Sequence, residues 1–189
     1  MKTPLSNITL STKYGPHLPT ADTGPIKYLK ATHFDEDNQL NAFTASYVST
    51  EGKEDKFLLQ ESDIILAAKG FRHFAWTYDS SYGPCIASSL FYIMRIDTQK
   101  VLSKYLTLCI NAPKFQHKLK MIGLGASVPV IPKKELLRLK VEIPPLEQQQ
   151  KIIRITNLID QQIELEKQIL EKRKILKTGL IDFLTSKQL

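Results

Sequence analysis

The spacing of hydrophobic and polar residues changes once along the chain, at Pro144-Pro145. Before this point, short apolar runs are separated by turn residues, such as Thr23-Gly24-Pro25 and Glu51-Gly52-Lys53, which is typical of strands joined by turns. After it, the chain contains one glycine, Gly179, and no proline. We therefore place a domain boundary at the two prolines, with residues 1–143 in one domain and residues 144–189 in a long helix.

Within residues 1–143, three apolar runs are rich in the β-branched and aromatic residues that favour strands. Helices are expected from Asp97, as an N-cap, to a stop before Pro113, and from Pro113 to a C-cap at Gly123. A short helix after Pro132 and a strand over 139–143 complete the domain. The predicted fold class is α+β, with one mixed α/β domain followed by a long coiled-coil helix. The three strand runs are 63–67, 74–78 and 90–96.

The C-terminal segment carries an apolar stripe with the spacing of a coiled coil. An uninterrupted helix of roughly 40 residues is about 60 Å long, which exceeds the depth of a domain of this size. Each apolar side chain left in water forgoes about 1.5–3 kcal/mol, so we expect a second helix to cover the stripe. An antiparallel partner would place Glu166 near Arg173 of the other chain. The apolar stripe consists of Ile152, Ile155, Ile159, Ile169, Leu176, Leu180 and Phe183.

Charge and cysteine content narrow the class of protein. The chain has 26 Lys and Arg against 19 Asp and Glu, a net charge of +7, which favours a polyanionic partner such as nucleic acid. Cys85 and Cys109 form no CxxC motif and suggest neither a disulfide framework nor a zinc site. There is no apolar leader and no run of about 18 apolar residues. We expect a soluble, cytoplasmic protein without a membrane partner.

Catalytic, cofactor and metal motifs have little support. Gly123-Leu124-Gly125 follows a predicted helix, the reverse of a dinucleotide-binding turn. The cluster His33 to Asp37 contains possible metal ligands, but it lacks the glycine and the bidentate glutamate of a calcium loop, and a polar turn explains it better. Asp35 with Glu51-Gly52-Lys53 has the residue types of a nuclease centre, yet its Glu-x-Lys lies in a polar turn and not on an apolar strand. We therefore expect no catalytic residue, no cofactor and no metal.

The basic residues give candidate DNA contacts. Lys69, Arg72 and His73 lie in a loop after an apolar strand, and Gly70 would let the backbone approach a phosphate or a base edge. In the alternative interpretation, Phe71 and Phe74 belong to the core and Arg72 is a charge at its rim. A second basic run lies on a predicted helix whose Phe115 and Leu119 face inward, and a solvated helix face is the alternative interpretation of this run. The run consists of Lys114, His117, Lys118 and Lys120. The remaining candidates are Lys13, Tyr14, Lys118 and Lys120.

The junction between the two domains resembles a known family. Val141-Glu142-Ile143-Pro144-Pro145-Leu146-Glu147-Gln148-Gln149-Gln150-Lys151-Ile152, leading into the long helix, is similar to the DNA specificity (S) subunits of type I restriction-modification systems. The similarity extends upstream to Leu59–Leu66 with Lys69-Gly70, and to Ser88–Phe91. The chain departs from the family pattern at three positions. These are Ser62, where glycine is usual, Gln148, where an acidic residue is common, and Ile153, where alanine is common.

The resemblance implies a target recognition domain and a helix that packs on methyltransferase subunits and spaces two such domains. Family members usually carry two domains and two helices in one chain, whereas this chain has one of each, so we expect a half-subunit. Together with the uncovered stripe, this predicts a homodimer through antiparallel C-terminal helices that reads two inverted half-sites. The chain would do no chemistry. The catalytic steps would be carried out by partner methyltransferase (M) subunits, with or without a restriction (R) subunit.

Two other functions remain as alternatives. The first is a structural adaptor whose helix recruits a protein and whose basic domain is incidental. The second is the metal-dependent nuclease, centred on Glu51. The leading prediction is sequence-specific recognition of double-stranded DNA.

Overall fold

The computed structural model describes residues 2–41, 46–48, 55–123 and 127–186. The chain divides into two compact units, Met1–Gln149 and Gln150–Leu189. The first unit contains the sheets and short helices, and the second is the continuation of one long helix. The predicted α+β class is confirmed.

A four-stranded antiparallel sheet forms the centre of the first unit among the described residues. Three of its strands are the three predicted apolar runs, and every residue of β5 is buried, as expected for a central strand covered on both faces. In spatial order the strands are β2 (Thr9–Tyr14), β8 (Phe91–Ile96), β5 (Ile64–Ala67) and β6 (Ala75–Thr77).

Two smaller sheets complete the first unit. β4 (Tyr47–Val48) pairs antiparallel with β3 (Ile26–Leu29), which pairs parallel with β7 (Cys85–Ala87). β1 (Lys2–Pro4) pairs antiparallel with β9 (Lys140–Glu142). This last pair joins the beginning and the end of the unit, so the predicted strand over 139–143 is present and closes the domain.

Aromatic side chains fill the core beside the central sheet. The Phe34 ring lies 5.0 Å from that of Phe74 and 5.5 Å from that of Trp76, measured between centroids. The Phe74 ring in turn lies 5.8 Å from that of Phe91. These three ring pairs meet at tilted or edge-to-face angles, which are favourable arrangements for aromatic pairs. Phe74 is therefore a core residue, as one of the two interpretations proposed.

The helices are α1 (Ser103–Asn111), α2 (Pro113–Ile122), α3 (Lys133–Arg138) and α4 (Leu146–Ser186). Pro113 ends α1 and begins α2, as predicted. The predicted start of α1 at Asp97 is wrong. The Asp97 carboxylate accepts a hydrogen bond from the Gln99 N–H at 3.2 Å and pairs with Lys100 at 2.9 Å. It closes a turn before the helix.

The turn before β5 explains a departure from the family pattern. Ser62 has φ +69°, in the left-handed region that glycine enters at little cost. Next to it, Asp63 is 2% exposed, accepts a hydrogen bond from the Gln60 N–H at 2.9 Å and pairs with Arg95 at 3.1 Å. The buried carboxylate holds the turn, and serine tolerates a conformation that suits glycine.

A single buried side chain, Gln149, holds the junction at Pro144-Pro145. Gln149 lies in the first turn of α4, is 0% exposed and belongs to the first unit. Its Oε1 accepts a hydrogen bond from the Leu102 N–H at 2.8 Å. Its Nε2 donates to the carbonyl oxygens of Lys100 at 3.1 Å and Pro144 at 2.8 Å. The amide satisfies three backbone groups, and thereby ties the start of α4 to the segment before α1.

The second unit is helical throughout its described part, including Gly179. The stripe of apolar side chains is exposed along it, from 38% at Ile152 to 72% at Leu176. Polar side chains pair along the helix, as between Gln162 Nε2 and Glu166 Oε1 at 3.0 Å. No helix in the described ranges is both long enough and apolar enough to cross a bilayer.

Candidate nucleic-acid interface

The hairpin between β5 and β6 presents the predicted loop Lys69 to Phe74. Gly70, at its tip, has φ +104°, a backbone conformation that side chains other than glycine rarely adopt. The Gly70 N–H donates to the carbonyl of Pro129 at 2.9 Å, and Lys69 forms a bridge with Val130. The tip is therefore fixed by hydrogen bonds on one side to the segment before α3.

Arg72, which is exposed, and His73, which is buried, both make contacts with the protein that hold this hairpin. The Arg72 guanidinium donates to the carbonyl of Phe34 at 2.9 Å and to Asn38 Oδ1 at 2.7 Å, and it lies 4.7 Å from the Phe74 ring centroid. It also donates to the carbonyl of Asp35. His73 is 7% exposed, with Nδ1 2.9 Å from the Ala67 carbonyl oxygen. Both side chains have protein partners that fix the loop.

The outward surface of the hairpin is aromatic and cationic. Phe71 is 77% exposed, so the interpretation that it belongs to the core is wrong. Lys69 Nζ lies 4.4 Å from the centroid of the Tyr14 ring, which stacks on Tyr92 at 4.2 Å. Residues far apart in sequence are thus brought together. We call Tyr14, Lys69, Gly70 and Phe71 the hairpin surface.

Lys13 lies apart from the hairpin surface. Successive side chains of a strand point to opposite faces, and Lys13 Nζ donates to the carbonyl of Lys56 at 3.3 Å. The adjacent Tyr14 instead stacks on Tyr92. The two candidates that are neighbours in sequence therefore serve different surfaces.

The candidates on α2 are also separated. Phe115 and Leu119 are buried, as predicted. Lys114 and Lys118, four residues apart, share a helix face and line a groove, whereas Lys120 is not among the groove's lining residues. Side chains two positions apart in a helix point about 200° away from each other. Lys118 and Lys120 therefore cannot serve one contact surface.

Sequence reasoning missed three features of these surfaces. It did not select Phe71, although an aromatic residue directly after a loop glycine was a usable signal. It did not assign a role to Gln149, which the family motif contains. It also gave no role to Lys2, which reaches the groove only through the pairing of β1 with β9.

The nucleophilic and metal-binding side chains show no catalytic arrangement in the described ranges. Burial raises the pKa of Cys85 to about 11 and also raises the pKa of Cys109, which disfavours their thiolates at neutral pH. No group of three or more His, Cys, Asp or Glu there could hold a metal ion. Asp35 Oδ1 accepts from the Gln39 N–H at 2.8 Å in a polar turn. The Glu51 and Lys53 of the nuclease hypothesis lie outside the described residues, as does the Leu124-Gly125 part of the GxG fragment.

The geometry describes a rigid α+β domain with a cationic, aromatic hairpin, followed by a long helix with an uncovered apolar stripe. Residues 7–173 match the family described as the type I restriction modification DNA specificity domain. The chain therefore belongs to this family. The description of this family is that of a DNA specificity domain.

Three solved structures share the fold of this chain. The S subunit of a type I system from M. genitalium matches with a TM-score of 0.62 at 15% identity, over 87% of this chain and 40% of that one. The HsdS subunit from Thermoanaerobacter tengcongensis matches with a TM-score of 0.55 at 16% identity, over 86% and 38%. A chain from a structure describing assembly and conformational transition of the type I R-M system matches with a TM-score of 0.67 at 14% identity, over 92% and 45%. This chain thus spans less than half the length of each. Comparison with curated proteins by sequence gives no match.

Proposed function

We propose that the chain is the DNA-recognition subunit of a type I restriction-modification complex, acting as a homodimer that directs methyltransferase subunits to a bipartite target. The family assignment is the observation that carries this proposal. The net charge of +7 is of the sign that attracts duplex DNA. Residues 1–143 are the target recognition domain, and residues 144–189 are the spacer helix.

The hairpin surface is the proposed site of base contact. Phosphate contacts position a protein on DNA, while contacts with base edges select the sequence. Lys69 offers a cation beside two stacked tyrosines, and Phe71 offers an apolar group able to contact a thymine methyl. Arg72 and His73 keep the loop in shape, since their described hydrogen bonds are to the protein itself. Lys13, Lys118 and Lys120 are proposed phosphate contacts outside this surface.

The apolar stripe of α4 supports an antiparallel dimer. If a two-fold axis passes between Lys167 and Gln168, Ile152 lies opposite Phe183 of the second chain. The same register pairs Ile155 with Leu180 and Ile159 with Leu176. The apolar pairs then lie at both ends of the dimer, and each is made twice, as in any isologous interface.

Three polar residues interrupt the apolar stripe at the same heptad spacing, and they favour the antiparallel arrangement over the parallel one. These residues are Gln162, Glu166 and Arg173. In a parallel, in-register pair, Glu166 would face Glu166 and Arg173 would face Arg173 across the seam, and like charges there are unfavourable. In the antiparallel register, Arg173 lies opposite Gln162. Glu166 then lies opposite Ile169, about one helical turn from Arg173 of the second chain. Two recognition domains held by this dimer would read inverted copies of one half-site.

Partners beyond DNA follow from the family. The spacer helices would also contact methyltransferase subunits, which would supply the chemistry, with or without a restriction subunit. The protein is expected in the cytoplasm, where its DNA target lies. No cofactor is required of this chain.

Duplex binding tests the recognition function. With methyltransferase subunits present, the logarithm of the association constant should fall linearly with the logarithm of the salt concentration, by about 0.9 per neutralised phosphate. Lys69→Gln should weaken binding, whereas Lys134→Gln, which removes the same charge from the exposed face of α3, is the matched control. Absence of duplex binding by the whole complex would refute the proposal. A helix that captures only a protein other than a methyltransferase would favour the adaptor.

Cysteine cross-linking tests the dimer and its orientation in a Cys109→Ser background. A mixture of Ile159→Cys and Leu176→Cys chains should form a disulfide-linked dimer. Ile159→Cys alone should not, because the antiparallel register separates the two copies by roughly 25 Å along the helix. Efficient cross-linking of Ile159→Cys with itself would indicate a parallel pair. A sedimentation mass of twice 21.5 kDa after Ile159→Asp and Leu176→Asp would show that the stripe is not the interface.

A further inference from the structure

We propose that a lysine-lined groove of the first unit, between α1–α2 and the β1–β9 pair, is a second contact with the DNA backbone. This inference rests on the proposed function and adds a binding surface to it. The groove has a volume of about 330 Å³, and none of its lining residues belongs to the hairpin surface. Its floor includes the side chains of Tyr105, Phe115 and Val141, each at most 6% exposed.

Four lysines from three elements line this groove. Lys2 comes from β1, Lys140 from β9, and Lys114 and Lys118 from α2. Glu142 is the one carboxylate among the lining residues. Four positive charges against one negative charge leave an excess of three on a small concave surface.

The lysines are not used to hold the fold. The side chains of Lys2, Lys114 and Lys140 make no hydrogen bond or ion pair with any residue in the described ranges. Lys118 Nζ lies 6.0 Å from the Phe115 ring centroid, at the limit of a cation–π contact. Lys2 lies opposite Glu142 in the strand register, and this carboxylate is the one negative charge beside the four lysines. Gathering like charges without internal partners costs free energy that an anionic ligand would recover.

A DNA backbone fits these features better than a small anion. A small anion would be held by buried donors, whereas these ammonium groups stand on the rim of an open groove above an apolar floor. Duplex DNA presents one phosphate charge per about 1.7 Å of its axis, and flexible lysines at a rim can follow such a row. The aliphatic stems of the lysines can remain on the apolar floor while the charged ends reach the phosphates.

The salt dependence of duplex binding tests the groove. The double variant Lys114→Gln/Lys118→Gln should reduce the slope by up to about 1.8, since each neutralised phosphate contributes about 0.9. The control Lys104→Gln/Lys134→Gln removes two charges from exposed positions outside the groove and should leave the slope unchanged. The probe is a labelled duplex of random sequence, bound to the complex with methyltransferase subunits. If both double variants change the slope equally, the effect is one of net charge and the inference is wrong.

Alkylation of Cys109, which lines the groove, gives an independent measurement. Cys85 is 0% exposed, so Cys109 is the thiol expected to react in the folded chain. Bound duplex should slow its alkylation several-fold, and Lys114→Gln/Lys118→Gln should remove this protection. Equal protection by methyltransferase subunits without DNA would assign the groove to a protein partner and overturn the inference.

The outcomes separate this inference from the proposed function. If the wild-type complex binds duplex, while the groove variant and the alkylation rate show no change, the groove inference fails and DNA recognition stands. If the wild-type complex binds no duplex at any salt concentration, the proposed function itself fails, and the groove inference with it.

Discussion

Replacing Gln149 with alanine should destabilise the first unit by about 3 kcal/mol. The variant removes three hydrogen bonds, to Leu102 N–H and to the carbonyls of Lys100 and Pro144. Each contributes about 0.5–1.5 kcal/mol net, and buried groups left without a partner cost about 1–3 kcal/mol each. The three hydrogen bonds together correspond to a loss of about 1.5–4.5 kcal/mol. Because Gln149 is 0% exposed, we expect a value near the middle of this range. Some rehydration of the released backbone groups keeps the loss below the sum of the full penalties for unpartnered groups.

Urea denaturation of the full chain, followed by tryptophan fluorescence, measures this change. Trp76 is the single tryptophan and is 6% exposed, so its signal reports unfolding of the first unit. Gln148→Ala is the matched control, because Gln148 is exposed and should change the free energy of unfolding by less than about 0.5 kcal/mol. Equal effects of the two variants, or a loss below about 1 kcal/mol for Gln149→Ala, would refute the assigned role.

Gln149→Glu separates hydrogen bonding from packing at this position. At pH 7 a carboxylate oxygen would replace the Nε2 donor opposite two carbonyl oxygens, so the variant should be less stable than Gln149→Ala. Protonation restores a donor. The stability difference between Gln149→Glu and wild type should therefore shrink as the pH falls toward 5. A difference that does not depend on pH would contradict the assigned geometry.

The remaining predictions concern Ser62, His33 and Phe71. Ser62→Gly should raise the free energy of unfolding by about 0.5–1 kcal/mol, because relief of the left-handed conformation exceeds the added freedom of the unfolded chain; a loss in urea denaturation would contradict this. The pKa of His33 is lowered from 6.5 by burial and by Lys30, so stability should be complete above pH 6.5 and fall below it; His33→Gln should flatten this loss, and an unchanged pH dependence would exclude His33 as its source. Phe71→Ser should leave stability unchanged within about 0.5 kcal/mol and weaken duplex binding without altering its salt slope; a changed slope in fluorescence anisotropy would contradict an apolar contact.

Periodicity predicted much of the local structure. Apolar runs rich in β-branched and aromatic residues became β5, β6 and β8, because such side chains fit a sheet whatever its partners. Pro113 and the prolines at 144 and 145 marked element boundaries, because proline lacks the N–H that a helix interior requires. The length of α4 followed from the absence of proline and the presence of one glycine, Gly179, after Pro145.

Tertiary contacts account for what periodicity could not predict. Arg72 donates a hydrogen bond to the carbonyl of Phe34, in a turn distant in sequence. No local feature of the sequence distinguishes this arginine from one without a protein partner. The pairing of Lys2 with Glu142 likewise depends on chain closure. The start of α1 was misplaced because Asp97 can cap a turn as readily as a helix.

The most direct test of recognition by a homodimer is the selection of bound duplexes from a randomised pool. The selection uses the chain together with methyltransferase subunits. The account predicts enrichment of two inverted copies of one half-site at a fixed separation, and loss of this pattern with Ile159→Asp/Leu176→Asp. Enrichment of a single asymmetric sequence, or of none, would contradict it.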